Sequence, residues 1–174
     1  MSQSRILTAI LMVLVAVASR ILPHPPNFNP ILAVSLFSGA YLLDKKFAYA
    51  VPLVAMLLSD LVIGFHALMP VIYLSMALFV FLGAKLSSSP KIGRTLTLTV
   101  ASSVFFFIIT NFAVWLTSGM YSLDFQGLVF CFTQAIPFFQ NSLASDLLYT
   151  GVLFGSMIYL DRTVFASEKP VLVK

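Results

Sequence analysis

The residues of this sequence that could bind a ligand are few, and they lie next to long apolar runs. The densest group is RILPHPPNFNP, residues 20–30, which holds four of the nine prolines and one of the two histidines. Guanidinium, imidazole and amide groups donate hydrogen bonds to carboxylates, phosphates and amides. The candidate ligand-binding residues are Arg20, His24, Asn27, Asn29, Asp60, His66, Asn111, Trp115, Tyr121, Asn141, Ser145 and Asp146.

Helical spacing places several of these residues on common faces. Asn141, Ser145 and Asp146 share one face of the last predicted helix, and Asn111 and Trp115 lie four residues apart on the preceding one. A charged side chain at the centre of a membrane helix costs about 2.5–3.5 kcal/mol on insertion scales. We therefore expect both faces to point into the protein, away from lipid.

The same residues also have a purely structural interpretation. Arg20, Asp60 and Asp146 are charges at comparable depth, so an ion pair between Arg20 and one carboxylate is expected, and such a pair either fixes packing or contacts a ligand. Asparagine and serine often join packed membrane helices by hydrogen bonds. Trp115 and Tyr121 also fit an aromatic belt at the membrane surface.

The sequence carries no signature of catalysis. It has no HExxH, GxSxG, phosphate-binding loop or CxxC motif, so we expect no catalytic residues and no enzyme. The single cysteine, Cys131, excludes an internal disulfide and fits a small buried side chain. A weaker alternative is a metal, haem or cobalamin site that uses His24 and His66.

Composition indicates that lipid is the solvent of this chain. Of its 174 residues, 60% are hydrophobic and only 9% are charged, whereas soluble domains carry about 25% charged residues. Since a span needs about 20 apolar residues, the length allows five to seven spans and no further large domain. The sequence predicts a single all-α membrane domain with spans at about 5–22, 30–43, 47–64, 70–86, 95–117 and 138–160.

The distribution of Lys and Arg predicts the orientation. With six spans, nine of the ten cations share one side and only Arg20 lies opposite, so the positive-inside rule places both termini in the cytoplasm. Residues 127–136, an apolar segment that stops at Pro137, are then predicted to be re-entrant or to lie flat at the surface. A cleaved signal peptide ending near Ala16-Val17-Ala18 is an alternative for the first apolar run.

This architecture resembles the substrate-binding S components of energy-coupling factor (ECF) transporters, small six-helix membrane proteins with cytoplasmic termini and an outward-facing ligand site. The opening AILMVLVAVASRIL, followed by a Pro/Asn loop and PILAVSLFSGAYL, carries most of the likeness. RILPHPPNFNP, LLSDLVIGFH, FFFIITNFAVW and AIPFFQNSLASDLLY are also similar to an uncharacterised family of small bacterial membrane proteins. The sequence departs from the S components in one respect. Many of them dock to the coupling module through an Ala-x-x-x-Ala pattern on the first helix. Here the residue four positions after Ala9 is Val13, and the residue four positions after Ala16 is Arg20.

The resemblance implies a subunit of the bacterial cytoplasmic membrane that binds and takes up a small vitamin-like or micronutrient-like molecule from the outer side. The expected partners are the lipid bilayer, the small molecule, and an ECF-type coupling module or another membrane complex; nucleic acid is not expected. The sequence names no cofactor. An alternative of another class is an accessory structural subunit of a larger membrane complex, whose polar face serves assembly.

Overall fold

The chain folds entirely as helices in the part that the structure describes. The computed structural model describes residues 3–42, 44–86 and 91–166, and in these ranges there are six α-helices and no strand. A short 3-10 turn, Ser19–Ile21, extends the first helix. The helices are α1 (Gln3–Ala18), α2 (Ile31–Tyr41), α3 (Lys45–Ile63), α4 (Met69–Gly83), α5 (Ile92–Thr117) and α6 (Phe125–Thr163).

The all-helical class is thus confirmed, and the first five helices begin and end within three residues of the predicted spans when the 3-10 turn is counted with α1. The predicted end of the second span at residue 43 lies outside the described residues. Four segments are long and apolar enough to cross a membrane, namely Gln3–Ile21, Lys45–Ile63, Ile92–Thr117 and Phe125–Thr163. Large apolar side chains, among them Val15 and Leu74, are exposed on the helix surfaces. Together these features indicate a membrane protein.

Helix α2 is the centre of the bundle. All eleven of its residues are buried, and it packs against each of the other five helices. A helix that is apolar on every side is stable only when it is surrounded, and ILAVSLFSGAY has no charged face to present to water. Rings add to this core, because Phe37 meets Phe154 edge-on with centroids 5.4 Å apart.

Two glycines allow α2 and α4 to pack backbone against backbone. A Cβ atom built on Gly39 would overlap the carbonyl oxygen of Val80, and one built on Gly83 would overlap the carbonyl oxygen of Leu36. The small pair Ser35 and Gly39 supplies the close surface on α2, a device common between membrane helices. The two helices therefore approach too closely for any side chain at either glycine.

Helix α6 corrects one prediction from the sequence. Residues 127–136 are not a separate re-entrant or surface segment, because a single 39-residue helix runs from Phe125 through Pro137 to Thr163. A proline in a helix removes one backbone hydrogen bond, at a cost of about 3 kcal/mol, and membrane helices tolerate it when neighbours support both sides. The Phe107 ring of α5 packs against Phe132 before the proline and Phe139 after it. Pro52 likewise lies inside α3.

The first turn of α6 is fixed by its capping residue. Asp124 accepts hydrogen bonds from the Gly127 amide at 2.7 Å and from the Ser122 hydroxyl at 2.9 Å. These hydrogen bonds lower the pKa of the exposed Asp124 carboxyl below its ordinary value, and the one from the Gly127 backbone amide has a larger effect than the one from the Ser122 hydroxyl. Helix α6 thus begins directly after the polar loop of residues 118–124, thirteen residues before the beginning of the last predicted span at residue 138.

An ion pair joins the beginning of α1 to the end of α6. Arg5 Nη2 donates to Asp161 Oδ2 at 2.7 Å, and both side chains are mostly buried. Just after the end of α1, the hydroxyl of Ser19 lies 2.7 Å from that of Tyr149, in the interior of α6. Helices α1 and α6 are therefore antiparallel, and their charged ends lie together.

Candidate functional site

The proline-rich first loop, residues 22–30, folds against α6 through side-chain hydrogen bonds. Four prolines at positions 23–30 carry no N–H, so the loop has carbonyl oxygens that no regular backbone pairing satisfies. Asn141 Nδ2 donates to Pro26 O at 3.0 Å, and Ser142 Oγ lies 3.3 Å from Asn27 O and 3.2 Å from Phe138 O of its own helix. Ser145 Oγ accepts from Asn29 N at 3.2 Å and lies 2.9 Å from both Asn29 O and Ser142 O. Two of the predicted ligand-binding residues, Asn141 and Ser145, thus hold the loop in place.

Arg20 enters the bundle beside Asp60. Its Nη1 lies 2.9 Å from Asp60 Oδ1, and the Arg20 and Asp60 side chains are only 11% and 1% exposed. Tyr73 of α4 donates to the second carboxylate oxygen at 2.8 Å, and Ser59 accepts from the same Nη1. The ion pair predicted for Arg20 therefore forms with Asp60. Because both oxygens of Asp60 are engaged, this carboxylate positions Arg20.

A cavity of about 300 Å³ opens beside Arg20. Its walls come from the first loop, the α3–α4 connection and helices α2, α4, α5 and α6. One part of the wall is polar, and the rest is aromatic and aliphatic. The lining residues are Arg20, Asn27, Asn29, Ile31, His66, Leu68, Ile72, Ser103, Phe106, Phe107, Thr110, Asn111, Val114, Ala135, Phe138, Phe139 and Ser142.

Five of the twelve predicted site residues line this cavity, and they are Arg20, Asn27, Asn29, His66 and Asn111. Several keep free hydrogen-bonding capacity within the described chain. Arg20 uses only Nη1, so Nη2 and Nε stay available, and the His66 ring bonds to no described group. Asn111 Nδ2 donates to Phe107 O of its own helix at 2.7 Å, which leaves its other amide atom for a ligand.

The remaining predicted residues lie outside the lining. His24 contacts the carbonyl oxygens of Pro25 and Arg20, 2.9 and 3.2 Å away, and so closes its own loop. Trp115 Nε1 donates to Ser122 O at 2.9 Å in the α5–α6 connection. Tyr121 packs against Phe130 in the same hairpin.

Asp146 stands behind the cavity wall. It is buried, and its Oδ2 lies 2.7 Å from the hydroxyl of Ser103, which does line the cavity. The next polar contact along the α5–α6 interface joins the hydroxyls of Thr99 and Thr150 at 3.2 Å. Asp146 is thus one residue removed from the cavity.

Some lining residues were missing from the sequence prediction. Ser103, Phe107 and Thr110 share one face of α5 with the predicted Asn111, at intervals of four, three and one. This spacing is visible in the sequence, but serine, threonine and phenylalanine are also ordinary residues at helix contacts. The aromatic walls are Phe106, Phe107, Phe138 and Phe139, whereas Trp115 and Tyr121 lie elsewhere.

The two histidines lie in different surroundings. His66 lines the cavity, while His24 bonds to its own loop. In residues 3–42, 44–86 and 91–166 no group of three or more His, Cys, Asp or Glu side chains is arranged to hold a metal ion. The lining offers hydrogen-bond donors and aromatic faces, which are suited to an organic molecule.

Comparison with known proteins places the chain in one family. No curated protein and no solved structure matches it. The family model of DUF6580, described as a family of unknown function, matches residues 1–170. Since that match covers nearly the whole chain, the protein belongs to the DUF6580 family.

Proposed function

We propose that this protein is a membrane-embedded subunit that binds a small organic molecule in the cavity and takes it up across the membrane. The observation that carries the proposal is the 300 Å³ cavity with Arg20, His66 and Asn111 on its wall. Ligand pockets are usually apolar clefts of about 300–1,000 Å³ with a few polar groups that fix orientation. This cavity has that composition and lies at the small end of that range.

The lining also indicates the class of ligand. The available guanidinium donors of Arg20 favour a carboxylate or another anionic group, with which arginine forms paired hydrogen bonds. Four phenylalanines offer flat apolar surfaces, which suit an aromatic or heteroaromatic ring. A small ring-bearing acid or amide, as in many vitamins, satisfies both requirements.

The proposed topology has six spans with both termini in the cytoplasm of a bacterial cell. Two observations support this topology. With six spans, nine of the ten Lys and Arg residues lie on one side of the membrane. The ion pair between Arg5 and Asp161 also brings the beginning of α1 and the end of α6 together. Helix α2 has eleven residues, or about 16 Å at 1.5 Å per residue, so the first loop must complete its crossing. The cavity then opens on the outer half, as in the S components that the architecture resembles.

In this proposal, α1 does not dock to a coupling module as the first helix of a typical S component does. Ala9, Val13 and Ala16 would be the docking positions on α1, but all three are buried in the bundle core. A coupling module therefore has no small-residue surface to meet at these positions. We propose a solitary uptake protein, or one with a different partner.

Mass spectrometry of the purified protein tests the proposal. The protein is extracted in mild detergent, and small molecules released by denaturation are identified and counted per chain. We expect a bound ring-bearing acid or amide in the wild type and its loss in Asn111→Leu. Thr117→Val is the matched control, because Thr117 also donates to the carbonyl four residues earlier on α5 but does not line the cavity.

Two results would contradict the proposal. Equal ligand content in Asn111→Leu and Thr117→Val would place the ligand elsewhere. A ligand-free protein that purifies only as a fixed-stoichiometry part of a larger membrane complex would instead support the accessory structural subunit.

A further inference from the structure

Asp146 is a buried carboxyl group that the ligand site does not use. It lies within α6, is 4% exposed and does not line the cavity. The ion pairs of the described chain are Arg5–Asp161 and Arg20–Asp60, so no arginine or lysine there neutralises Asp146. An ionised carboxylate in such surroundings is strongly disfavoured, and the neutral acid is the form that burial selects.

The hydrogen bonds of Ser103 indicate where the proton is. Ser103 Oγ lies 2.9 Å from Thr99 O and 2.7 Å from Asp146 Oδ2. A serine hydroxyl has one hydrogen and two acceptor lone pairs, so it can donate to only one of these oxygens. Both contacts are satisfied together when Ser103 donates to Thr99 O and a protonated Asp146 donates to Ser103.

In the part of the chain that the structure describes, no other titratable group forms a hydrogen bond or ion pair with Asp146. Helix α5 faces Asp146 with Ser103, and α2 carries no charged residue between Ile31 and Tyr41. On α6 the nearest titratable neighbour is Tyr149, whose hydroxyl is joined to Ser19 of α1. Among the charged and titratable groups near the cavity, Arg20 and Asp60 pair with each other, His24 bonds to its own loop, and His66 lines the cavity.

We propose that Asp146 is a reversible proton-binding site that exchanges its proton with the cavity through the hydroxyl of Ser103. When Asp146 takes up a proton, a hydronium ion in the cavity gives its proton to Ser103 Oγ, and the original hydrogen of the Ser103 hydroxyl passes to the Asp146 carboxylate. The hydronium becomes water, the carboxylate becomes a neutral acid, and Ser103 turns its hydroxyl to Thr99 O. Release is the reverse, with Ser103 donating to the ionised carboxylate.

The position of this site suits a proton-linked transporter. Beyond Asp146 the polar contacts continue through Thr99 and Thr150 to Thr95, towards the opposite end of α5 from the cavity. Thr95 and Thr150 line a separate groove of about 310 Å³ between α5 and α6. Linkage of the proton to ligand uptake rests on the proposed function, whereas the proton site itself does not.

Infrared spectroscopy of the ligand-free protein in detergent tests the proton site directly. A protonated carboxyl group has a C=O stretching band that a carboxylate lacks. We expect such a band at neutral pH, a loss of its intensity on raising the pH, and its return on lowering the pH. Asp146→Asn should remove the band, and Asp124→Asn, at an exposed capping position, should leave it unchanged.

A second pair of variants keeps the test decisive if Asp146→Asn does not fold. Ser103→Ala removes the hydrogen-bond partner, so the band should move to higher frequency and exchange its proton with D₂O more slowly. Ser102→Ala is the matched control, because Ser102 is equally buried on α5 and its hydroxyl has no described partner. Absence of the band at every pH at which the protein is folded, or a band that neither Asp146→Asn nor Ser103→Ala alters, would overturn the proposal.

These readings are independent of the ligand assay. A proton site without any retained small molecule would remove the proposed function and leave Asp146 as a proton-binding group. A retained small molecule without the infrared band would do the opposite.

Discussion

The ion pair between Arg20 and Asp60 should contribute strongly to the stability of the bundle around the cavity. Asp60 is 1% exposed and receives Arg20 Nη1 at 2.9 Å and the Tyr73 hydroxyl at 2.8 Å. Asp60→Asn keeps the shape but removes the negative charge, which leaves a guanidinium that is 11% exposed without its counter-ion. Removing one partner of a buried pair costs about 3–5 kcal/mol.

Two companion variants separate charge from hydrogen bonding. Tyr73→Phe deletes only a hydroxyl that donates to a charged acceptor, for which a loss of about 1.5–3 kcal/mol is expected. Arg20→Met with Asp60→Leu removes both charges together. Because apolar residues often replace a buried pair with little loss, the double variant should be more stable than Asp60→Asn.

The assay is the free energy of unfolding in mixed micelles, obtained by titration with a denaturing detergent and followed by circular dichroism. We expect the loss to be larger for Asp60→Asn than for Tyr73→Phe, with recovery in the double variant. A loss in Asp60→Asn no greater than in Tyr73→Phe would refute the reasoning that the charge of Asp60 is what holds Arg20.

Three further predictions concern the packing, the first loop and the α6 cap. Gly39→Ala and Gly83→Ala should each destabilise the protein by about 1–3 kcal/mol in the same assay, because the added methyl group meets the backbone of the facing helix. Gly151→Ala should be neutral or stabilising, because Gly151 has open space around it. Equal stability of Gly39→Ala and Gly151→Ala would contradict the close contact between α2 and α4. Ser145→Ala should cost about 1–3 kcal/mol and reduce hydrogen-exchange protection of the Asn29 amide, while Thr133→Val, whose hydroxyl bonds only within α6, should leave that protection unchanged. The pKa of Asp124 is lower in the folded than in the unfolded protein. The stabilisation that Asp124 provides is therefore complete at pH values above its unfolded-state pKa, and it is lost as the pH falls through its folded-state pKa. Hydrogen-exchange protection of the Gly127 amide should fall in that acid range, and Asp124→Ala should show low protection of this amide at every pH.

The sequence was sufficient to predict most of the helices, because long apolar runs separated by prolines and polar residues leave little choice of secondary structure. It failed at Pro137, where local chemistry indicates a break. A membrane helix can continue through a proline when it packs against a neighbouring helix, and here Phe107 of α5 contacts α6 on both sides of Pro137. Such contacts between distant parts of the chain are not visible in a local pattern.

The same limit applies to the choice between binding and structural roles for the polar residues. Asn141 and Asn111 both lie on inward faces, yet Asn141 bonds to a loop carbonyl 115 residues away while Asn111 lines the cavity. Periodicity predicts that a face is buried, but it does not tell which backbone group or empty space the face meets.

The number of prolines in the first loop explains why so many polar residues were needed on α6. Prolines lack the N–H groups through which backbone segments pair, and the carbonyl oxygens of Pro26, Asn27 and Asn29 lie beside polar side chains of α6 instead. Asn141 and Ser145 join the loop to α6 by these hydrogen bonds, next to Arg20. A fixed loop in turn leaves the polar side chains of Asn27 and Asn29 in the cavity wall. The structural and the ligand-binding interpretations of this polar half are therefore complementary, because the first group of residues builds the wall that the second group lines.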